Sequence, residues 1–121
     1  DKPYYTVLDG KVTDLIEIPS KWELDDYVAQ AYSIYPAEPA GLDRISCYRN
    51  VQDNDLREFH GYRDMGLCID FLMHPQISGA PGRNLVLEEI LKEVTSHDDV
   101  WVATCKEIAD YWRTAHPRKE G

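Results

Sequence analysis

The sequence predicts an α/β protein in which parallel strands alternate with helices, as in a segment of a larger (β/α) barrel. Three observations carry this. Leu67 to Met73 is a nearly continuous apolar run of strand length, the pattern of a parallel strand covered on both faces. An amphipathic stripe at helical spacing follows it, and a second short apolar run, Val100 to Ala103, leads into another helix signal. Such alternation implies right-handed crossovers and a parallel sheet. Two or three core strands make a poor free-standing sheet, so residues 1–121 are expected to be one part of a barrel, and no internal repeat points elsewhere.

Each element has its own signal. Tyr4 to Leu8 is β-rich, and Asp9-Gly10 is a two-residue hairpin turn before a returning strand that runs from Lys11 to Ile18. Residues 35–50, with Pro36, Pro39 and Gly41, lack a sustained period and read as a loop. Asp53 or Asn54 is expected to cap a helix with Leu56, Phe59 and Tyr62 or Arg63 recurring at helical spacing, ended by Gly66. His74-Pro75 closes the Leu67–Met73 run. In the next helix Leu87, Ile90, Leu91 and Val94 form the expected stripe, with Glu88 and Lys92 paired outside it. Thr104 and Glu107 make a capping box that opens the final helix, whose apolar positions are Ile108, Tyr111, Trp112 and Ala115.

Composition narrows the function. The 121 residues fit one domain, and 43% hydrophobic residues suit a globular chain. A net charge of −9 excludes the concentrated basic face that nucleic acid requires. No apolar run is long enough to span a membrane, and no signal peptide is visible. Three widely spaced cysteines, Cys47, Cys68 and Cys105, form no CxxC pair and suggest a reducing, cytoplasmic setting, with Cys68 a buried thiol.

Ligands of parallel α/β proteins gather at the carboxyl ends of the strands, and two such ends stand out. After Ile18 come Trp22, Asp25 and Asp26. A tryptophan beside paired carboxylates offers an apolar wall and acceptors for sugar hydroxyls or for orienting a base; equally, the two aspartates suit the first turn of a capped helix. The second end is His74-Pro75-Gln76, followed by the loop Gly79-Ala80-Pro81-Gly82-Arg83. Histidine gives or takes a proton near neutral pH, and Arg83 can anchor the loop or an anion. Asp70 either faces a polar interior or pairs with a neighbouring charge. His60, His97 and His116 read as structural, and no HxxxH, HxH or His-Cys motif supplies metal ligands.

Three segments carry a resemblance. Phe71 to Arg83 is similar to the late histidine motif of polysaccharide deacetylases of the peptidoglycan-deacetylase-like and allantoinase-like branch. Val100 to Thr104, with Glu107, Ile108, Ala109 and Trp112, resembles the terminal strand and helix of that branch, and Ile18 to Tyr27 resembles its tryptophan–aspartate motif. The matches occur in the family's order. The resemblance implies the C-terminal part of a distorted (β/α) barrel, missing the N-terminal metal-binding part. It implies hydrolysis of a carbon–nitrogen bond, most often deacetylation of an N-acetylated amino sugar in a carbohydrate. A divalent metal, zinc in many members, is implied for the complete enzyme, with ligands outside this chain. His74 takes the place of the histidine that protonates the leaving amine, and Trp22, Asp25, Asp26 and Arg83 are the expected binding or orienting residues. Ala80 stands where an arginine is usual. A homo-oligomer is expected, and the isolated chain is expected to be inactive. The alternatives are an allantoinase-like cyclic amide hydrolase, although Gln76 stands where that side favours arginine, and a non-catalytic carbohydrate-binding or interaction module.

Overall fold

A computed structural model describes residues 1–31 and 46–118. Most of the expected loop over residues 35–50 lies outside the described residues.

The chain opens with an antiparallel hairpin of β1 (Tyr4–Leu8) and β2 (Lys11–Glu17), in register Tyr4 to Glu17 and Leu8 to Lys11. Asp9 and Gly10 both take positive φ, 49° and 74°, the twist that a two-residue hairpin turn requires and that Asp and Gly tolerate. A bulge between Tyr5 and Val7 shifts the register. The expected hairpin is therefore present, turn included.

The expected parallel sheet is not formed by the described residues alone. Among the described residues the hairpin is the only regular sheet, and neither Leu67–Met73 nor Val100–Ala103 forms a ladder. The first run makes a single parallel bridge, Asp25 to Leu72, in which the Leu72 N–H donates to Leu24 O at 3.0 Å and the Asp26 N–H donates to Leu72 O at 3.1 Å. A ladder needs backbone partners along its length, and composition alone does not reveal whether this chain supplies them. Part of the apolar surface of both runs is used nonetheless: Ile69, Phe71 and Val100 pack on the core, while Leu72, Trp101 and Val102 are exposed.

That core lies between α2 (Tyr48–Asp64) and α4 (Pro81–Thr95) and is built from Phe59, Val86, Ile90 and Val94. Phe59 and Ile90 are almost fully buried, each stabilising the fold by roughly 1.5–3 kcal/mol relative to exposure. The buried stripe of α4 is thus Val86-Ile90-Val94 rather than the expected Leu87-Ile90-Leu91-Val94, and Leu91 is exposed. Helical period permits either stripe, and the packing of α2 selects one. Helix α2 also begins at Tyr48, behind an N-cap at Cys47, six residues before the first of the expected caps, Asp53. Its first turn has little apolar period but docks on α4. A Cβ at Gly82 would lie 3.0 Å from the Tyr48 ring, and Gln52 Nε2 donates to Glu89 Oε2 at 2.6 Å. Gly66 ends the region at φ 63°, as its place after the helix leads one to expect.

Two short helices, α1 (Asp26–Gln30) and α3 (Pro75–Ser78), sit side by side where the bridged segments end. The last helix, α5 (Cys105–Ala115), has the full Thr104–Glu107 capping box. It lies against β2, and the Arg113 guanidinium donates to Asp14 O at 3.0 and 3.2 Å. None of its residues is buried, despite a strongly amphipathic pattern.

Candidate active site

The Asp25–Leu72 bridge creates the site. It aligns two extended segments in parallel, so that Asp25-Asp26 and Met73-His74 leave the bridge at the same end. Leu24, 2% exposed, anchors one segment beneath a 3-10 turn spanning Trp22–Leu24. A helix then starts on each side. Asp25 is the N-cap of α1, its Oδ1 accepting the Tyr27 N–H at 2.8 Å, and His74 is the N-cap of α3 with Pro75 next. Asp25 is therefore both a helix cap and a neighbour of His74, at 3.7 Å from its Nδ1.

Asp26, only 3% exposed, is the centre of the arrangement. Its carboxylate accepts the His74 backbone N–H at 2.9 and 3.1 Å, lies 2.6 Å from His74 Nδ1, and accepts the Ser78 hydroxyl. An ionised carboxylate only accepts, so the Asp26–Nδ1 contact puts the proton of a neutral ring on Nδ1 and leaves Nε2 as the acceptor. The imidazole is partly exposed, and the Tyr27 ring lies 5.9 Å from it. Behind Asp26 stands Asp55, 6% exposed. Burial pushes its pKa up to about 6; hydrogen bonding from Asn54 opposes the rise, and the Asp26 charge adds to it. Asn54 Nδ2 also donates to Glu23 O at 2.9 Å, tying α2 to the turn that carries Trp22.

Of the residues expected at the site, His74, Asp25 and Asp26 converge. Trp22 stands in the turn just before Asp25 and is 78% exposed, so it is not a core residue. Arg83 anchors a loop: its guanidinium donates to Gln30 O at 3.2 Å, joining the end of α1 to the start of α4. Asp70 accepts a hydrogen bond from Ser20 at 2.7 Å. Cys68 is partly rather than fully buried. Sequence reasoning missed Ser78 and Asp55, because Ser78 carries no motif of its own and Asp55 stands in a polar stretch of α2.

It also missed what tertiary packing does with the histidines. Among the described residues, two groups have ligand atoms within 4.8 Å of one another: Asp25, Asp26 and His74, and separately His60, Glu93 and His97. The first group fits a metal poorly, since both Asp26 oxygens are already engaged by His74 and Ser78 and Asp25 Oδ1 caps α1. It is built to orient an imidazole.

With this geometry in hand, comparison with known proteins is informative. No family model matches the chain. It is 29% identical over 116 residues to a peptidoglycan deacetylase of Helicobacter pylori, covering 94% of this chain and 39% of that protein. Over 47 residues it is 40% identical to a Schizosaccharomyces pombe protein assigned as a polysaccharide deacetylase, covering 39% of this chain and 15% of the relative. A solved structure from Mycobacterium smegmatis, likewise assigned as a polysaccharide deacetylase, matches with a TM-score of 0.79 and 32% identity over 100% of this chain and 41% of that one. A Pseudomonas aeruginosa structure at 21% identity and TM-score 0.73 shares the fold, over 98% of this chain and 38% of its own. The arrangement of helices and hairpin is thus an α/β piece of the deacetylase fold. The chain is similar along nearly its whole length to proteins named as polysaccharide or peptidoglycan deacetylases, and it spans about two-fifths of the length of the H. pylori and M. smegmatis proteins. These relatives are named deacetylases, and none lends support to the allantoinase-like alternative.

Proposed function

We propose that this chain is the C-terminal part of a barrel enzyme that hydrolyses the amide of an N-acetylated amino sugar within a polysaccharide, with His74 as the general acid. The observation that carries the reading is the contact of 2.6 Å between His74 Nδ1 and the buried Asp26 carboxylate, with the His74 backbone held by the same group. Amide hydrolysis passes through a tetrahedral intermediate whose nitrogen departs poorly unless protonated. In the imidazolium form, His74 presents Nε2–H to that nitrogen. The carbon–nitrogen bond breaks, its electron pair stays on nitrogen, and the Nε2 proton completes the amine. His74 is left neutral, with Nδ1–H still held by Asp26. Positioned acid–base groups of this kind contribute roughly 10²–10⁴-fold. Asp26 is a positioning residue, and Ser78 holds its second oxygen. Trp22, exposed beside the site, offers a flat apolar face to a sugar ring. The metal implied by the family would activate water from ligands outside this chain, since Asp25, Asp26 and His74 are committed to one another.

The test is acetate release from N-acetylated chitooligosaccharides by the full-length protein and its His74→Gln variant. The expected result is a fall in kcat of at least about 10²-fold, with unchanged thermal stability and metal content. Wild-type turnover in the variant would remove His74 from the mechanism.

A further inference from the structure

We propose that His60, Glu93 and His97 form a second, independent site that binds a divalent transition ion of the zinc class and pins α2 to the end of α4.

His97 Nε2 lies 3.0 Å from Glu93 Oε1, and His60 Nε2 lies 3.4 Å from the same oxygen. Ligand atoms of a tetrahedral zinc ion, with bonds of about 2.0–2.1 Å, lie roughly 3.3 Å apart. The two imidazole nitrogens therefore already lie about one tetrahedral edge from the shared carboxylate oxygen, and all three atoms lie within 4.8 Å of one another. Two imidazoles and one carboxylate are a donor set suited to zinc and its neighbours, with a fourth position left for water.

The site is held by its surroundings. Glu93 lies in the last turn of α4, and His97 follows the C-cap Ser96, where the chain leaves the helix and turns its imidazole back to Glu93. His60 reaches them from α2. The buried Phe59 ring lies 5.1 Å from the His60 ring and 5.6 Å from that of His97, and the two imidazoles meet edge to face at 5.8 Å. Arg63, one turn beyond His60, bonds Asp99 at 3.0 Å, two residues beyond His97, so the same two segments are clamped beside the site. That ion pair also occupies the nearby guanidinium, which would otherwise compete for Glu93. All three ligands are partly exposed, which leaves an entry path. An ordinary ion-pair network, with one carboxylate serving two imidazoles, is the competing account.

The decisive experiment titrates the metal-stripped full chain with zinc alone by calorimetry and with cobalt by visible absorption. The wild type should take up zinc at this site with a tetrahedral or five-coordinate cobalt spectrum, and zinc should raise its melting temperature. His60→Ala and His97→Ala should each weaken the binding at least tenfold and abolish the thermal shift, and Glu93→Gln, which preserves size and helix, should weaken it too. His74→Gln should leave it in place, which separates this site from the candidate active site. A zinc stoichiometry left unchanged by the His60→Ala/His97→Ala double variant, loss of this same equivalent in His74→Gln alone, or no wild-type equivalent beyond the one a catalytic metal would take would each overturn the proposal. Because Glu93→Gln keeps its fold and the calorimetry is read at low temperature, loss of folding in a histidine variant does not protect the proposal.

Discussion

The two histidine–carboxylate groups use the same chemistry in different settings. At His74 the carboxylate of Asp26 is buried and surrounded by donors from one short helix, so its lone pairs are spent on holding a single imidazole. At Glu93 the carboxylate is partly exposed and one oxygen faces two imidazoles, one from α2 and one from the segment that follows α4. A buried, saturated acceptor fixes the tautomer and orientation of its histidine. A half-exposed acceptor shared between imidazoles instead leaves the group able to close around a cation. Burial and donor count decide which role follows, and residue type does not.

Four measurements break or sharpen this comparison. The largest effect is expected at His74, where alanine should cost about 10²–10⁴-fold in kcat while the zinc titration at His60 and His97 is unaffected. Asp26→Asn comes next. The amide keeps the shape but loses the charge and points an N–H₂ group at existing donors, which leaves buried groups unmatched at a cost of about 1–3 kcal/mol. Turnover should fall and its pH profile should move with little change in KM, an outcome that a purely structural role would not produce. An Asp26→Asn enzyme of lower stability with a wild-type profile would reduce Asp26 to a scaffold residue.

Loss of the zinc response in His97→Ala is the third, expected at tenfold or more with kcat unchanged. The fourth is smaller and concerns the carboxyl behind the site. Asp55 has its pKa raised from 3.8 to about 6 in the folded protein, so the folded state holds the proton more tightly than the unfolded chain. Its contribution is present below pH about 4 and is lost as pH rises through about 6. Asp55→Asn should therefore raise the denaturation midpoint at pH 7.5 and change it little at pH 4. Equal effects at both pH values would show that Asp55 is solvated rather than buried.

Local physics was legible in the sequence. Asp9-Gly10 specified its hairpin because few residue pairs accept two positive φ angles. Thr104 and Glu107 specified a helix start because each satisfies the other's backbone group. His74 stood out because it ends an apolar run, and a resemblance spread over three ordered segments pointed to the deacetylases that the chain is similar to. What the sequence left open depended on partners distant along the chain. Whether Leu67–Met73 becomes a ladder depends on strands beside it, and among the described residues its one β-bridge is at Leu72. Which stripe of α4 is buried depended on where Phe59 and Tyr48 meet it. His60 and His97 looked unrelated because they are far apart in sequence and share no motif. Only the packing of α2 on α4 brings their nitrogens to one carboxylate, and only the Asp25–Leu72 bridge brings Asp26 to His74. Short-range hydrogen bonding and allowed backbone angles are properties of neighbouring residues, whereas a site is a property of surfaces that meet after the chain has folded.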